Sequence, residues 1–474
     1  MTPHQQHPAK FTATRRRGAV AGGLPLAIVA LLATAAGPAA SATGLDGLGD
    51  PYFPLSGNGG YHVQHYDLTL GYDPGTRRLN GNAVITASAT QALTRFNLDL
   101  NGLEITSITV DGTKATFRRT GQELEVTPKQ ALPNGQVFRT TVVYSGTPKP
   151  VTDPDGSSEG WMTTDDGAFV AGEPQGAMSW FPANNHPKDK STYDFAITVP
   201  QGRTAVANGV FDGQTTDKGL TTFRWHQAEP MAAYLATATV GNFTVEQYTT
   251  ADGIKVYNAV DSREAAAAAP VLKQLPAVLQ WESSLFGPYP FKAAGSIVDR
   301  APNVGYALET QTRPVYDSAP DLTTLVHETA HQWFGNSVSI TTWKDIWLNE
   351  GFATYAEWLY AEQHGGPTAQ KNFDANYAKS AKADIWKFPT ADPGSASHIF
   401  DEPVYLRGAM ALHKLRQAVG DKTFFSILRL WADTNRGGNG TTAQFISLAE
   451  SQSRMDLSQL FRTWISTSGK PAKP

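Results

Sequence analysis

The sequence predicts an α+β protein of more than one domain, in which an all-β N-terminal domain precedes a mainly helical domain. A chain of 474 residues is too long for a single hydrophobic core. Between residues 61 and 247, apolar and polar residues alternate in short runs broken by Gly, Asp, Asn or Pro, which is typical of β-strands and turns. After residue 262, apolar residues recur at helical spacing instead.

The alternation in the N-terminal region is clearest at residues 66–70, 83–87 and 138–144. Two acidic turns, Pro154-Asp155-Gly156 and Asp165-Asp166-Gly167, interrupt the pattern. Clustered acidic side chains can bind Ca²⁺, but neither turn has the spacing of a calcium loop. We therefore expect both to be solvated turns.

The helical region begins at residues 263–286, where five consecutive alanines precede apolar residues at helical spacing. Gly335 and Gly365 stand where helix C-terminal caps are expected, and residues 294–316 are expected to form strand and loop. The other predicted helices are 321–334, 345–364, 368–383, 405–419, 422–435 and 442–453. These patterns divide the chain into residues 1–42, a β domain at 43–247 and a helical domain at 248–474.

Residues 1–42 are predicted to be a secretory signal peptide. Arg15-Arg16-Arg17 precedes a run of small and apolar residues, and Ala40-Ser41-Ala42 fits a cleavage site. The three arginines also permit a twin-arginine signal, and an uncleaved membrane anchor is the alternative. Because no later stretch reaches about 18 uninterrupted apolar residues, we expect a secreted mature chain without a stable membrane span.

Charge and composition exclude several classes of function. The formal net charge of -4 and the lack of a long basic stripe argue against a nucleic-acid partner. The chain has no cysteine, which rules out disulfides, cysteine zinc ligands and a cysteine nucleophile.

One motif points to chemistry: His327-Glu328-Thr329-Ala330-His331, followed after a gap of eighteen residues by Glu350. Histidines four apart on a helix project from one face, so both imidazoles can reach one Zn²⁺ at about 2.0–2.1 Å. Glu328 is then left free as a general base. A catalytic zinc site needs a third protein ligand and leaves the fourth position for water, and Glu350 is the candidate for that ligand.

The second predicted helix supports this interpretation. Glu350, Ala353, Thr354 and Glu357 fall on one face of it at i, i+3, i+4 and i+7. Glu357 is therefore placed to accept the N–H of a ligating histidine and fix its tautomer, although an ordinary surface charge is an equal reading.

The motif with Trp347-Leu348-Asn349-Glu350-Gly351-Phe352-Ala353 resembles the aminopeptidase N family of zinc metallopeptidases, the gluzincins. Three more segments resemble family motifs in the family's order, so that the resemblance covers the chain from about residue 61 to 471. These segments are Gly172-Glu173-Pro174-Gln175, Ala307-Leu308-Glu309-Thr310 and Pro403-Val404-Tyr405-Leu406-Arg407-Gly408-Ala409.

The resemblance implies a β-sandwich or saddle-like N-terminal domain and a thermolysin-like catalytic domain with one Zn²⁺. It implies that Glu309 and Glu173 hold the ammonium group of a peptide with a free N-terminus. It also implies that Tyr405 donates a hydrogen bond to the oxyanion at the scissile carbonyl.

The chain departs from the family pattern in two places. Tyr306, Leu308 and Thr310 stand where the family usually has glycine, methionine and asparagine, which puts the side-chain preference in doubt. Gly305 is then placed to supply the backbone freedom of the missing glycine. The sequence after Glu350 is also too short for the large C-terminal helical domain of many members, so we expect a short form with a more open site.

The expected function is that of a secreted zinc aminopeptidase, with His327, His331 and Glu350 on the metal and Glu328 as general base. An endopeptidase with an open cleft is the alternative within the same enzyme class. A catalytically silent binding module is a third reading, disfavoured because the ligands, the base and the tyrosine are all present.

Overall fold

The computed structural model describes residues 42–472. The predicted signal peptide at residues 1–42 lies outside the described residues, apart from Ala42 at its end. Within the described part, β-sheets dominate the sequence up to about residue 261 and helices dominate after it. The predicted order of an all-β domain followed by a mainly helical domain is confirmed.

Side-chain alternation explains why the N-terminal region forms sheets. In the strand Tyr61–Asp73, Tyr66, Leu68 and Leu70 are buried while the residues between them face outward. Successive side chains of a strand point to opposite faces, so each strand offers one apolar face to the core. The largest described sheet has eight strands in the spatial order Val210–Asp217, Leu220–Ala232, Lys190–Pro200, Tyr61–Asp73, Arg78–Ala89, Val137–Gly146, Glu104–Val110 and Thr113–Lys114.

Two smaller sheets complete this region. The first has the spatial order Ala42–Thr43, Leu93–Asp99, Glu123–Thr127 and Thr116–Thr120. The second has the order Val151–Thr152, Ser158–Thr163, Ala168–Ala171, Ala238–Gly241 and Thr204–Ala207.

A mixed sheet follows the β region. Strand Phe243–Thr249 pairs antiparallel with Lys255–Asp261, which pairs in parallel with Ala293–Val298. The predicted domain boundary after residue 247 falls inside the first of these strands. The full spatial order is Phe243–Thr249, Lys255–Asp261, Ala293–Val298, Val315–Tyr316 and Ala307–Leu308, and a separate two-stranded ladder joins Ser339–Ile340 to Asn439–Gly440.

Helices make up most of the remaining described chain. The α-helices are α1 (Ala265–Leu272), α2 (Leu275–Phe286), α3 (Leu322–Ala330), α4 (Trp347–Gln363), α5 (Ala369–Tyr377), α6 (Gly408–Val419), α7 (Asp421–Thr434), α8 (Thr442–Ser453) and α9 (Ser458–Phe461). Short 3₁₀ turns lie at Gly176–Ser179, Ala233–Leu235, Trp343–Asp345, Asp384–Trp386 and Ala396–His398, and π-helical turns at Pro403–Arg407 and Arg462–Ser466.

The helices differ from the predicted ones at some of their ends. The helix predicted over 263–286 is divided into α1 and α2, and Pro276 in the first turn of α2 has no N–H to continue a helical ladder. The helix predicted over 405–419 begins only at Gly408, because residues 405–407 belong to the π-helical turn Pro403–Arg407. Gly365, with φ of +83°, follows the end of α4 as a C-terminal cap should, whereas α3 ends earlier than Gly335.

Two buried basic side chains connect the β region to the later part of the chain by donating hydrogen bonds to backbone carbonyl oxygens. Lys190 donates from Nζ to the carbonyl oxygens of Asn336 at 2.8 Å and Ser337 at 3.0 Å. Arg313 donates from Nη2 to the carbonyl oxygen of Gly209 at 2.9 Å. These hydrogen bonds therefore help to fix the relative positions of site residues that come from the two regions.

Within residues 42–472, the structure contains no helix long and apolar enough to cross a membrane.

Candidate metal centre and active site

Helix α3 presents the two histidines of the motif. Its N-cap, Asp321, accepts a hydrogen bond from the backbone N–H of Thr324 at 2.8 Å, which satisfies one of the free donors at the helix start. Leu325 packs into the core on one side of the helix. His327 and His331 lie one turn apart with their ring centroids separated by 4.8 Å.

Helix α4 brings Glu350 to the same point. Its Oε2 lies 3.3 Å from Nε2 of His327 and 3.4 Å from Nε2 of His331. Burial opposes ionisation of this carboxyl group, but the two histidines outweigh it and lower the pKa of Glu350 to about 2. Glu350 is therefore a carboxylate at neutral pH.

The far nitrogen of each imidazole is fixed by an acceptor. Nδ1 of His327 lies 2.6 Å from Oε1 of Glu357, and Nδ1 of His331 lies 3.0 Å from the carbonyl oxygen of Phe334. A carboxylate and a carbonyl only accept hydrogen bonds, so both Nδ1 atoms carry the proton. Loss of the second proton, from Nε2, therefore leaves the Nε2 lone pair of each ring for a metal, as in supported metal sites.

The three side chains fit a zinc ion. In a tetrahedral site with bonds of about 2.0–2.1 Å, neighbouring ligand atoms are about 3.3 Å apart. The Nε2–Oε2 distances of 3.3 Å and 3.4 Å agree with that value. Two imidazoles and one carboxylate are also the donor set of one class of catalytic zinc site.

Glu328 lies beside this cluster without belonging to it. One of its carboxylate oxygens is within 4.8 Å of ligand atoms of Glu309 and His331. Burial raises the pKa of Glu328 to about 7, against the opposing effect of His327 and His331. A carboxyl group with such a pKa is suited to take up and release a proton near neutral pH.

Glu309 and Glu173 form an acidic pocket next to Glu350. One oxygen from each of the three side chains lies within 4.8 Å of the other two. Glu309 is 2% exposed and Glu173 9% exposed, and Oε1 of each has no hydrogen-bond partner among residues 42–472. Burial and then the charges of Glu309 and Glu350 raise the pKa of Glu173 well above its ordinary value. The pocket is therefore suited to a cation that supplies hydrogen-bond donors.

Tyr405 reaches the cluster from the π-helical turn before α6. A Cβ added to Gly408 would lie only 2.9 Å from Cα of Gly351, so the backbones of α4 and α6 touch. This close approach places the Tyr405 ring 6.2 Å from the His327 ring, centroid to centroid. Burial and the surrounding carboxylates raise the pKa of Tyr405 well above its ordinary value, so its hydroxyl group stays protonated and can donate.

Comparison with known proteins agrees with this geometry. The Peptidase M1 N-terminal domain matches residues 62–235, and the Peptidase family M1 domain matches residues 306–464. A crystal structure of an M1 zinc metallopeptidase from Deinococcus radiodurans has a TM-score of 0.84 and 32% sequence identity, covering 90% of this chain and 98% of that one. The chain belongs to the M1 family of zinc metallopeptidases. Its cofactor is a single catalytic zinc ion.

Longer M1 proteins are also similar to this chain. Probable M1 family aminopeptidase 1 of Encephalitozoon cuniculi is 26% identical over 336 residues, which cover 63% of this chain and 38% of that protein. Glutamyl aminopeptidase of Mus musculus is 25% identical over 325 residues, covering 63% and 34%. Aminopeptidase N of Lactobacillus delbrueckii subsp. lactis is 24% identical over 453 residues, covering 87% and 51%. The chain thus spans from about a third to about half of the length of these curated relatives.

Supporting residues of this M1 site were missed in the sequence. Gln332 and Asn336 donate to the carbonyl oxygen of Glu309 at 3.2 Å and 2.7 Å and so fix its backbone. Both follow the second histidine within five residues, a position that could have drawn attention to them. Glu159 accepts from the backbone N–H groups of Gln175 and Gly176 and thereby holds the segment that carries Glu173, but no local pattern marks it.

The three residues near Glu309 that depart from the M1 pattern are hydrogen-bonded or buried. Tyr306 donates from its hydroxyl group to the carbonyl oxygen of Ser158 at 2.8 Å, which joins the two regions of the chain. Leu308 is buried, and Thr310 donates to the carbonyl oxygen of Arg313 at 2.5 Å. Gly305 has φ of +84°, a conformation that glycine adopts without strain, as expected if it takes over the freedom of the missing glycine.

Proposed function

We propose that this M1 protein is an aminopeptidase that removes N-terminal residues from peptides. The observation that carries the proposal is the pair of buried, unpartnered carboxylates of Glu173 and Glu309 beside Glu350. A buried carboxylate without a donor is costly, so the pocket favours a ligand that brings both positive charge and N–H groups. The free α-ammonium group of a peptide has both properties.

The position of the acidic pocket determines which bond is cut. One oxygen each of Glu173 and Glu309 lies within 4.8 Å of the carboxylate of Glu350, which we assign with His327 and His331 to the metal. An ammonium group held there keeps the first peptide bond close to the metal and excludes longer N-terminal extensions. A blocked amine loses its charge and adds bulk, and the pocket should reject it.

The remaining roles follow from protonation and position. Zinc, when bound, polarises the scissile carbonyl and lowers the pKa of a coordinated water towards about 7. Glu328, which has a carboxylate oxygen within 4.8 Å of a ring nitrogen of His331, accepts a proton from the attacking water and transfers it to the departing amine. Tyr405 donates from its protonated hydroxyl group to the oxyanion that develops on the scissile carbonyl.

Related proteins support this assignment. The similar proteins named above include aminopeptidases. A mutant of the Deinococcus radiodurans metallopeptidase, with a TM-score of 0.83 and 31% identity to this chain, is described in complex with the substrate Tyr-Ser-Ala. That peptide has a free amine of the kind that the acidic pocket is proposed to hold.

The proposal is tested with matched free and N-acetylated peptides. The wild-type protein should hydrolyse a panel of aminoacyl anilides and release the first residue of free peptides, while acetylated versions should remain intact. Internal cleavage of acetylated peptides at a comparable rate would instead identify an endopeptidase with an open cleft.

The general base is tested with Glu328→Gln, which keeps the size of the side chain but cannot accept the proton. This variant should retain zinc and lose turnover by several orders of magnitude. Wild-type turnover in Glu328→Gln would refute the mechanism, and absence of zinc from the purified wild-type protein would favour the silent binding module.

We also propose that the protein is exported, on the basis of Arg15-Arg16-Arg17, the apolar run and Ala40-Ser41-Ala42. The expected result is a mature chain in the culture medium with an N-terminus near Thr43, determined by N-terminal sequencing. A full-length chain in the cell fraction alone would contradict export.

A further inference from the structure

Three aspartates meet at the junction of the β region and the mixed sheet. The parallel strands Lys255–Asp261 and Ala293–Val298 are in register, with Val260 opposite Val298. Asp261 and Asp299 are the next residues along these two strands, so they lie side by side at the carboxyl ends of the strands. Asp166, from the turn between strands Ser158–Thr163 and Ala168–Ala171, brings a third carboxylate, and one oxygen from each lies within 4.8 Å of the others. We call these three residues the aspartate cluster.

The basic residues around the aspartate cluster do not neutralise it. Arg263 contacts Asp261 at 2.6 Å and the neighbouring Asp165 at 2.5 Å and lies 3.8 Å from Asp166, and Arg203 lies 3.5 Å from Asp166. Four carboxylates therefore face two guanidinium groups, which leaves two negative charges when all are ionised. Within residues 42–472, Arg300, the next residue after Asp299, forms no ion pair with any of these carboxylates.

One carboxylate oxygen of Asp299 lacks a hydrogen-bond donor among the described residues. Its side chain is 0% exposed; Oδ1 accepts from the backbone N–H of Arg300 at 2.7 Å, but Oδ2 has no hydrogen-bond partner among the described residues. A buried carboxylate oxygen without a donor is costly. Burial raises the pKa of Asp299 to about 7, and the charges of Asp166 and Asp261 add to the effect while Arg263 opposes it. Oδ2 of Asp299 is thus a buried oxygen that accepts no hydrogen bond from the described part of the protein.

We propose that the aspartate cluster is a second cation site, which binds one Ca²⁺. Its ligands are all oxygens, which suit a hard cation and not zinc. At a Ca²⁺–O distance of about 2.4 Å, ligand oxygens on opposite sides of the ion are about 4.8 Å apart, so the spread of the three carboxylates is compatible with Ca²⁺. The charge of the ion also matches the two negative charges left by the arginines.

Further oxygen ligands are needed to complete the coordination. Ca²⁺ takes 6–8 oxygen ligands, more than three carboxylates supply when each binds through one oxygen. A cleft of about 510 Å³ is lined by Asp165 and Arg300, the sequence neighbours of Asp166 and Asp299. Solvent in this cleft would supply the remaining ligands.

Such an ion would join two parts of the chain that meet near the active site. Asp166 belongs to a hairpin of the β region, whereas Asp261 and Asp299 belong to the mixed sheet. The segment that starts at Asp299 leads through Gly305 to Glu309. The ion should therefore stabilise the fold, and its binding does not depend on whether the protein is an aminopeptidase.

The test is a calcium titration of the zinc-loaded protein after metal-free dialysis, with zinc restored to one equivalent. We expect isothermal titration calorimetry to show one Ca²⁺ bound per chain. Saturating Ca²⁺ should raise the Tm by roughly 3 °C or more, because a ligand that binds only the native state stabilises it. Failure of the wild-type protein to bind Ca²⁺ at millimolar concentrations would overturn the proposal. An equal response to Mg²⁺ would overturn the assignment of the site to calcium.

Variants locate the site. Asp299→Asn and Asp261→Asn should each weaken Ca²⁺ binding by at least 100-fold and remove the Tm shift. The matched control is Asp155→Asn, the same substitution in the other acidic turn, which should bind Ca²⁺ as the wild type does. Wild-type Ca²⁺ affinity in Asp299→Asn would show that the proposal is wrong. The proposal would also be wrong if the wild-type protein does not respond to Ca²⁺ and Asp299→Asn has a higher Tm than the wild type, because the Asp299 carboxyl group would then be neutralised by a proton and not by an ion.

Discussion

The cluster of His327, His331 and Glu350, here called the His–Glu cluster, and the aspartate cluster are both buried sets of metal-ligating side chains, but they are built differently. The first lies on two helices that pack against each other, with ligand atoms only 3.3–3.4 Å apart. The second is assembled from the ends of two parallel strands and a hairpin turn, with one oxygen of each aspartate within 4.8 Å of the others. Helix periodicity sets which residues of the first cluster share a face, whereas strand register and a turn bring the members of the second together.

The two clusters also differ in how their ligands are supported. Each imidazole of the His–Glu cluster has its second nitrogen fixed by an acceptor, Glu357 or the carbonyl group of Phe334. In the aspartate cluster, Arg263 supports Asp261, but Oδ2 of Asp299 has no donor. Prearranged ligands bind a metal tightly because little reorganisation is needed. We therefore expect tight zinc binding at the first cluster and weaker, exchangeable calcium binding at the second.

The largest effect should separate the two clusters. Glu350→Ala removes one of the three proposed zinc ligands, so we expect loss of bound zinc and a decrease in peptide hydrolysis of at least 1,000-fold, measured by elemental analysis and anilide turnover. Asp299→Asn should keep one zinc ion per chain. Loss of zinc from Asp299→Asn would show that the clusters are not independent, and retention of zinc in Glu350→Ala would contradict the assigned ligands.

The next effect tests how closely the helices of the His–Glu cluster must approach. In Gly408→Ala, the new Cβ would lie 2.9 Å from Cα of Gly351, so α6 must move away from α4 and carry Tyr405 with it. We expect a loss of roughly 1–3 kcal/mol in the free energy of unfolding from overpacking. A displacement of about 1 Å should lower kcat by up to about 100-fold.

Gly71→Ala is the matched control for Gly408→Ala, because a Cβ at Gly71 would meet no atom within 4 Å. It should leave turnover and zinc content unchanged. Equal behaviour of the two variants in urea denaturation and turnover would show that the glycine contact does not position Tyr405.

A smaller effect should come from the support of His327. Glu357→Gln removes the charged acceptor of its Nδ1–H, so zinc affinity should fall by roughly 10–100-fold while turnover recovers at saturating zinc. Competition with a chromogenic chelator measures the affinity. Glu362→Gln, on the same helix but paired with Arg416 at 2.9 Å, is the control and should bind zinc like the wild type. An unchanged zinc affinity in Glu357→Gln would reduce Glu357 to an ordinary surface charge.

These two clusters also show which parts of the site are readable from sequence. His327, His331, Glu350 and Glu357 are brought together as helical spacing predicts, because helix periodicity fixes which side chains share a face. The aspartate cluster depends on strand register, and no spacing along the chain reveals that Asp261 lies next to Asp299. The sequence predicts only a solvated turn at Asp165-Asp166-Gly167, because the spacing of that turn does not fit a calcium loop.

The acidic pocket of Glu309 and Glu173 is only partly predictable from sequence. Glu309 and Glu173 were found through resemblance to family motifs, but their burial and their lack of hydrogen-bond partners depend on how the two regions pack. Packing between distant segments is not encoded in a local pattern, so Glu159 and its hold on the Glu173 segment were not foreseen.

The smallest effect tests whether the aspartate cluster and a nearby hydrogen bond both stabilise the junction between the β region and the mixed sheet. Tyr306 ends the segment that starts at Asp299, and its hydroxyl group donates to Ser158, in the hairpin that carries Asp166. Tyr306→Phe removes this bond, so without Ca²⁺ the free energy of unfolding should fall by about 1 kcal/mol in urea denaturation. With Ca²⁺ bound, the ion should hold the same two segments together, and the difference between variant and wild type should shrink. An equal loss with and without Ca²⁺ would mean that the ion and the tyrosine act on separate parts of the fold.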